Sequence, residues 1–401
     1  MASVYTMIAL AGLLILWALV SARAARFSIG VPILLMLAGA VIAGGSRDTA
    51  VTGEHATTVR HLLEATLAVI LFTDATEVPL HRLRKSGHLP ARLLLIAFPL
   101  TVAAGFLAGR LLFPAADAWI LALVAAALAT SDSSLAGALV QDTRIPDRLR
   151  TAINVESGLN DGFAAPLVVF FVAGALAGGT VHPTGSVLGN TLTELAVAVP
   201  AGAIVGYTAG KLLSITRARG WSTPRSERLA YLSVAALAFA TAYVLHGNGL
   251  VAAFIAGLSL RAADPQLPED QTQLCHDVVL LLSAGVWYAF GSTLPDALSG
   301  LSWAVVAYAL LSLTLVRILP VLLSLVGSDL TGPERLLLGW TGPSGLPSVI
   351  LGLIALEQLT GDAATLVAAL LAATVVLSVL LHGLSAKPVA DWLSHHPSRP
   401  S

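Results

Sequence analysis

Residues 129–166 read ATSDSSLAGALVQDTRIPDRLRTAINVESGLNDGFAAP, and they decide the fold. Asp132, Glu156, Asn160 and Asp161 stand inside two otherwise apolar segments, joined by a short basic stretch carrying Arg144, Arg148 and Arg150. An ionisable side chain at membrane depth costs roughly 2.5–3.5 kcal/mol even on insertion scales, so by default such residues mark an ion or proton pathway. Composition supplies the membrane. The 401 residues are 56% hydrophobic and 11% charged, with a mean hydropathy of +0.83. That is too apolar for a fold that turns a polar surface to water. The chain reads as an all-α polytopic membrane protein.

The same composition excludes other classes. A net charge of −1 argues against a nucleic-acid partner, which demands a basic face. No Walker or Rossmann glycine pattern stands out, so neither a nucleotide nor a cofactor is expected. Cys275 is the sole cysteine, which rules out an intrachain disulfide and a paired-cysteine metal site. Residues 3–20 have the apolar run of a signal peptide, but positive charge follows that run instead of preceding it, so it is kept as a first membrane helix. The terminal SHHPSRPS has no metal-ligand spacing.

A membrane helix takes about 20 apolar residues. Thirteen runs qualify, near 3–22, 27–45, 59–79, 89–113, 116–141, 147–177, 186–212, 227–246, 248–264, 273–293, 298–327, 332–360 and 362–386. Most Lys and Arg follow odd-numbered runs, among them Arg82, Arg84 and Lys85, then Arg144, Arg148 and Arg150, then Lys211, Arg217 and Arg219. Because cytoplasmic loops collect positive charge, the N-terminus is expected outside and the C-terminus in the cytoplasm. Thirteen divides into a first repeat over 1–177, a connecting helix at 186–212 and a second repeat over 227–386, with a short cytoplasmic tail over 387–401. Seven crossings separate the starts of the two sixes, so the halves enter from opposite sides, as inverted repeats do. No residue-level repeat is visible; the symmetry rests on topology and on helix breakers. The fifth run, with Thr130 to Ser134, then pairs with the twelfth, with Gly342 to Ser348, and regular helix is weakest in these two places. Discontinuous helices at corresponding positions of two halves point to a transporter's binding site.

At ~1.5 Å per residue, Asp161 lies roughly 16 Å from the level of Arg150 and Asp132 roughly 18 Å from that of Arg144, both near the middle of a ~30 Å hydrocarbon core. Ser344 and Arg317 fall at a similar level. Residues four apart share a helix face. Glu156 thus stacks below Asn160 as a structural carboxylate–amide pair, and Ser157 below Asp161 as a hydroxyl–carboxylate pair. A hard monovalent cation asks for oxygen ligands. Asp161, Asp132, the Ser131 and Ser157 hydroxyls and carbonyls freed at the break supply them, with Asp74, near the cytoplasmic end of the third run, as a further candidate. A carboxylate withdrawn from water takes a proton more readily, so a proton and a cation would compete at Asp161. Such competition with alternating exposure suffices for exchange. A sodium-coupled symporter of a small organic solute and a passive channel remain as other readings. An intramembrane hydrolase ranks below them, since no His or Lys sits at a suitable depth for a Ser–Lys or metal-ligating arrangement.

The block Glu156-Ser157-Gly158-Leu159-Asn160-Asp161-Gly162 resembles the signature of the monovalent cation:proton antiporter family, in its electroneutral sodium/proton exchanger branch. Ser131, Asp132, Asp142, Pro146 and Arg148 to Thr151 fall at the family's spacing, and LFTDATEVPLHRLRK, GLVAAFIAGLSL, LGWTGPSGL and VVLSVLLHGLSAKPVA extend the match over nearly the whole chain. The resemblance implies that Asp161 binds cation and proton, with Asp132, Ser131 and Ser157 helping to coordinate and Asp74 at a position that can be acidic. It implies that Glu156 holds Asn160 in place, and that Asn160, where the electrogenic branch has Asp, favours one-for-one exchange. It also implies a homodimer in which a six-helix core moves as an elevator. Two departures stand out. Ser344 occupies the place of an Arg that pairs with the carboxylate matched by Glu156, and Arg317 is the substitute by depth. Ser133 replaces a Pro, so the break at Thr130 to Ser134 depends on hydroxyl hydrogen bonding. The chain ends soon after the thirteenth run, so the regulatory domain of longer relatives is expected to be absent. The expectation is a secondary antiporter of the inner (cell) membrane that exchanges sodium or potassium for protons, and not an enzyme.

Overall fold

The computed structural model describes residues 2–24, 30–43, 56–78, 89–132, 145–177 and 183–394. They form helices joined by turns, with no strand among the described residues. In chain order these are α1 Ala2–Ala24, α2 Val31–Ala43, α3 Ala56–Glu77, α4 Leu89–Leu112, α5 Ala118–Leu128, α6 Asp147–Leu176, α7 Pro183–Ala218, α8 Pro224–Val244, α9 Gly249–Ala263, α10 Gln273–Ser299, α11 Trp303–Ser324, α12 Gly332–Trp340, α13 Leu346–Gln358 and α14 Gly361–Ser394. Stretches of α4, α6, α7, α10, α11 and α14, each at least 22 residues, are long and apolar enough to cross a bilayer.

Local chemistry sets the ends. Asp117, Asn248 and Ser302 accept backbone N–H groups at the starts of α5, α9 and α11, and Thr331 with Glu334 closes a capping box on α12. Such caps satisfy donors that a helix leaves orphaned in its first turn. The twelfth run divides into α12 and α13 around 341–345. The fifth run differs from its expected 116–141: α5 stops at Leu128, and the chain leaves the helix before Asp132. The rest of that run, with Ser133 and Ser134, lies outside the described residues, as does Asp142 beyond it.

Close helix contacts are made through small residues, which let backbones approach where lipid competes equally for apolar surface. Gly202, Gly206 and Gly210 line one face of α7 and rest on Ala252, Ala256 and Leu260 of α9; a Cβ on Gly206 would run into the Ala256 carbonyl. α2 and α10 meet at Gly39 and Gly291, while α9 and α3 meet where Gly257 faces Phe72 and Ala75. A π-helical turn interrupts α4 at Leu93–Ala97 and α11 at Ser312–Val316. Pro99 and Pro320 follow them, and a proline ring clashes with the carbonyl four residues back, here Leu95 and Val316, inside each π turn.

Candidate functional site

The two interruptions meet each other. The Asp132 backbone N–H donates to the Pro343 carbonyl at 2.8 Å, and the N–H of Leu346, first residue of α13, donates to Asp132 Oδ2 at 2.8 Å. The carboxylate thus sits at the positive end of the α13 dipole. Gly345 is required there, because a Cβ at that position would overlap the Asp132 carboxylate. Ser344 Oγ donates to the carbonyl of Leu128 at 3.0 Å, at the end of α5. Thr130 Oγ1 donates to the Ala127 carbonyl at 2.9 Å and shares a 2.6 Å hydrogen bond with Ser348 Oγ. Each break therefore satisfies backbone groups that the other leaves open, the condition for irregular chain at membrane depth.

α6 runs alongside. Ser157 Oγ donates to the Ser131 carbonyl at 2.7 Å, and Asn160 Nδ2 donates to Ser131 Oγ at 2.6 Å. Asp161 is 2% exposed, and its Oδ1, like Asn160 Oδ1, has no hydrogen-bond partner among the described residues. α3 brings Asp74 against Gly158, where a Cβ would stand 3.3 Å from the Asp74 Cβ. Asp74 and Asp132 act electrostatically on Asp161, so three carboxylates share one neighbourhood.

One expected contact is not formed. Asn160 gives its amide to Ser131 and not to Glu156, which is buried and accepts from Arg317 Nη2. Sharing a helix face makes Glu156 and Asn160 neighbours, but a charge-assisted bond to a guanidinium outweighs a carboxylate–amide bond. Arg317 enters from the end of the π turn in α11, and its guanidinium lies so close to Gly342 that a Cβ there would collide with it. It therefore touches the second break as well as α6.

Two buried groups escaped the sequence reading. His382 is 6% exposed and lies against the end of α12, a residue to which the sequence assigns no role of its own. Its Gly-flanked place in VVLSVLLHGLSAKPVA gave only a family match. Glu334, buried in the first turn of α12, pairs with Arg148 at 2.6 Å and ties α12 to α6. The Thr331-x-x-Glu334 spacing of a capping box was the available signal.

A helix that ends at Leu128 and a helix interrupted at 341–345, capping each other beside buried carboxylates of a third, define a class, the membrane proteins built on discontinuous helices. The model of the family described as sodium/hydrogen exchanger, transmembrane, matches residues 10–392, and the chain belongs to that family. It is similar to the K(+)/H(+) antiporter NhaP of Alkalimonas amylolytica, 28% identical over 389 residues that cover 91% of this chain and 63% of that protein. It is also similar to a Na(+)/H(+) antiporter of Schizosaccharomyces pombe, 25% identical over 370 residues, 81% of this chain and 76% of that one. The chain thus spans less than two thirds of the first relative. The fold matches that of the sodium proton antiporter MjNhaP1 from Methanocaldococcus jannaschii, with a TM-score of 0.71 and 20% identity over 98% of this chain and 100% of the other. The chain is a multi-pass, all-α membrane protein.

Proposed function

We propose that this chain is a secondary antiporter that exchanges sodium or potassium for protons by alternating access, with Asp161 as the shared carrier. The observation that carries the reading is the position of Asp161: buried, with an oxygen lacking a hydrogen-bond partner among the described residues, beside the crossing of the two breaks. A dehydrated cation there draws on Asp161, Asp132, Ser157 and the Ser131 region, with Asp74 adjacent; when the cation leaves, a proton neutralises Asp161. Asn160 stays fixed by Ser131, and the Glu156–Arg317 pair keeps Glu156 out of the cycle, so one positive charge exchanges for another and transport is electroneutral.

Alternating access also needs a seal. A cavity of about 650 Å³, lined in part by Glu64, Val168, Val172, Glu194, Leu250 and Ile354, lies toward the ends of α6 and α13, the outer side in an orientation with the N-terminus outside and the C-terminus in the cytoplasm. Phe254 of α9 rests on Gly162, next to Asp161, and is the bulky side chain we assign to that seal. The chain then works in the cell membrane as a homodimer, its core moving past the glycine-packed helices α7 and α9. No observation favours the symporter reading.

The test is exchange in proteoliposomes containing a pH dye. Addition of sodium or potassium moves protons in the wild type and not in Asp161→Asn, which remains folded by size exclusion and circular dichroism. Sodium- or potassium-driven proton movement retained by Asp161→Asn rejects the assignment.

A further inference from the structure

His382 of α14 lies outside the cation site but touches the second break. Its Nδ1 is 3.0 Å from the Ser378 carbonyl oxygen and 3.4 Å from Ser378 Oγ, and its Nε2 is 3.1 Å from the carbonyl oxygen of Trp340, the last residue of α12. The Trp340 ring leans on the imidazole, with centroids 4.9 Å apart and planes at 31°. The indole Nε1 donates to Ser385 Oγ at 3.0 Å. α14 therefore grips the end of α12 at three points.

Carbonyl oxygens only accept. A neutral imidazole has one N–H and one lone pair, so it bonds one of the two carbonyls and turns its lone pair on the other, unless the Ser378 hydroxyl swings round to donate over the longer distance. An imidazolium carries N–H on both nitrogens and bonds both carbonyls at once. Trp340 also ends a helix, where the negative end of the dipole favours a cation. Arg317 of α11, whose partner is Glu156 of α6, acts on the ring electrostatically; among the described residues no carboxylate of α5, α10, α12 or α13 acts on the imidazole. The ring thus has two carbonyls at its nitrogens and one cation within electrostatic reach.

We propose that His382 is a proton-linked positioning residue for the second break. With two protons it ties Trp340 to α14 and holds 341–345 in place; with one, kept on Nδ1 by the Ser378 carbonyl of its own helix, it releases the Trp340 carbonyl. The far end of that break carries Leu346 N–H on Asp132 and Ser344 on the Leu128 carbonyl, so a loosened break disturbs the Asp132 carboxylate. The consequence for transport rests on the antiporter reading; the proton step rests on the geometry of the ring.

The experiment has two arms, on wild type, His382→Gln, Trp340→Phe and the double variant His382→Gln/Trp340→Phe, each run through size exclusion first; the double variant supplies the same subtraction in the His382→Gln background. In the first, tryptophan emission is titrated with pH, and subtracting Trp340→Phe from wild type removes the others of the seven tryptophans. An imidazolium quenches an indole it stacks on, so the difference emission dims on acidification in one proton step, and that step is missing in His382→Gln. A difference emission that does not change with pH overturns the proposal, as does a step that survives in His382→Gln; should His382→Gln not fold, the subtraction decides alone. In the second arm, the apparent KM for sodium is followed with pH. His382→Gln keeps one N–H within reach of Trp340 at every pH, so on the alkaline side its apparent KM stays below the wild-type value by about threefold, the scale of one lost hydrogen bond. Superimposable profiles overturn the positioning role. A fluorescence step without any exchange overturns the antiporter reading and leaves the clamp standing.

Discussion

Arg317 and Glu156 form a pair in which neither partner tolerates the loss of the other. Both are buried, and removing one leaves an uncompensated charge in a low-dielectric interior, at a cost of about 3–5 kcal/mol. Arg317→Ala should therefore lower the thermal unfolding temperature of the purified protein clearly. Adding Glu156→Gln to it should restore a large part of the loss, because an amide needs no counter-charge. An Arg317→Ala protein that melts like the wild type would show that the ion pair contributes nothing. Arg317 was legible in the sequence because Ser344 stands where the resemblance expects the Arg that pairs with Glu156, and Arg317 falls at the depth of Ser344. The partner of Asn160 was not. Helical spacing shows which residues share a face of one helix, whereas the bond from Asn160 runs to Ser131 on another element. His382 was illegible for the same reason: only the packed bundle brings the Trp340 carbonyl to its second nitrogen.

At the scale of elements, the two breaks form one unit. Hydroxyls around Asp132 and the Gly and Pro of GPSGLPS announced both interruptions. Where the first would fall was harder to read, since Leu135 to Val140 continue the apolar pattern past the point at which α5 ends. The π turns of α4 and α11 went unread, although Pro99 and Pro320 marked them. The crossing rests on Gly345, which alone leaves room for the Asp132 carboxylate. Gly345→Ala should push that carboxylate off the Leu346 N–H and, since small misplacements at a site are costly, reduce cation exchange by roughly tenfold or more. Proteoliposome flux checks this, with size exclusion to show that the protein is folded. Unchanged rate and apparent KM would mean that Asp132 is not needed where it sits.

For the whole molecule, the all-α polytopic class was legible in the composition, and the fold shared with MjNhaP1 agrees with it; the six-one-six division came from positive charge and helix count alone. Contacts between helices were beyond the sequence, because apolar residues face lipid and protein alike; the Gly202, Gly206 and Gly210 stripe was the one readable cue to a close partner. In the proposed cycle one buried carboxylate, Asp161, is occupied by turns by a proton and an alkali cation. Competition makes the apparent KM for sodium fall as pH rises through the range where Asp161 loses its proton. The claim is tested most directly without transport, by adding sodium or potassium chloride to the purified protein in weakly buffered solution and counting the protons released. The wild type should release roughly one proton per chain, as cation binding to a protonated ligand requires, and Asp161→Asn none. Cation binding without proton release, or equal release from Asp161→Asn, would contradict it.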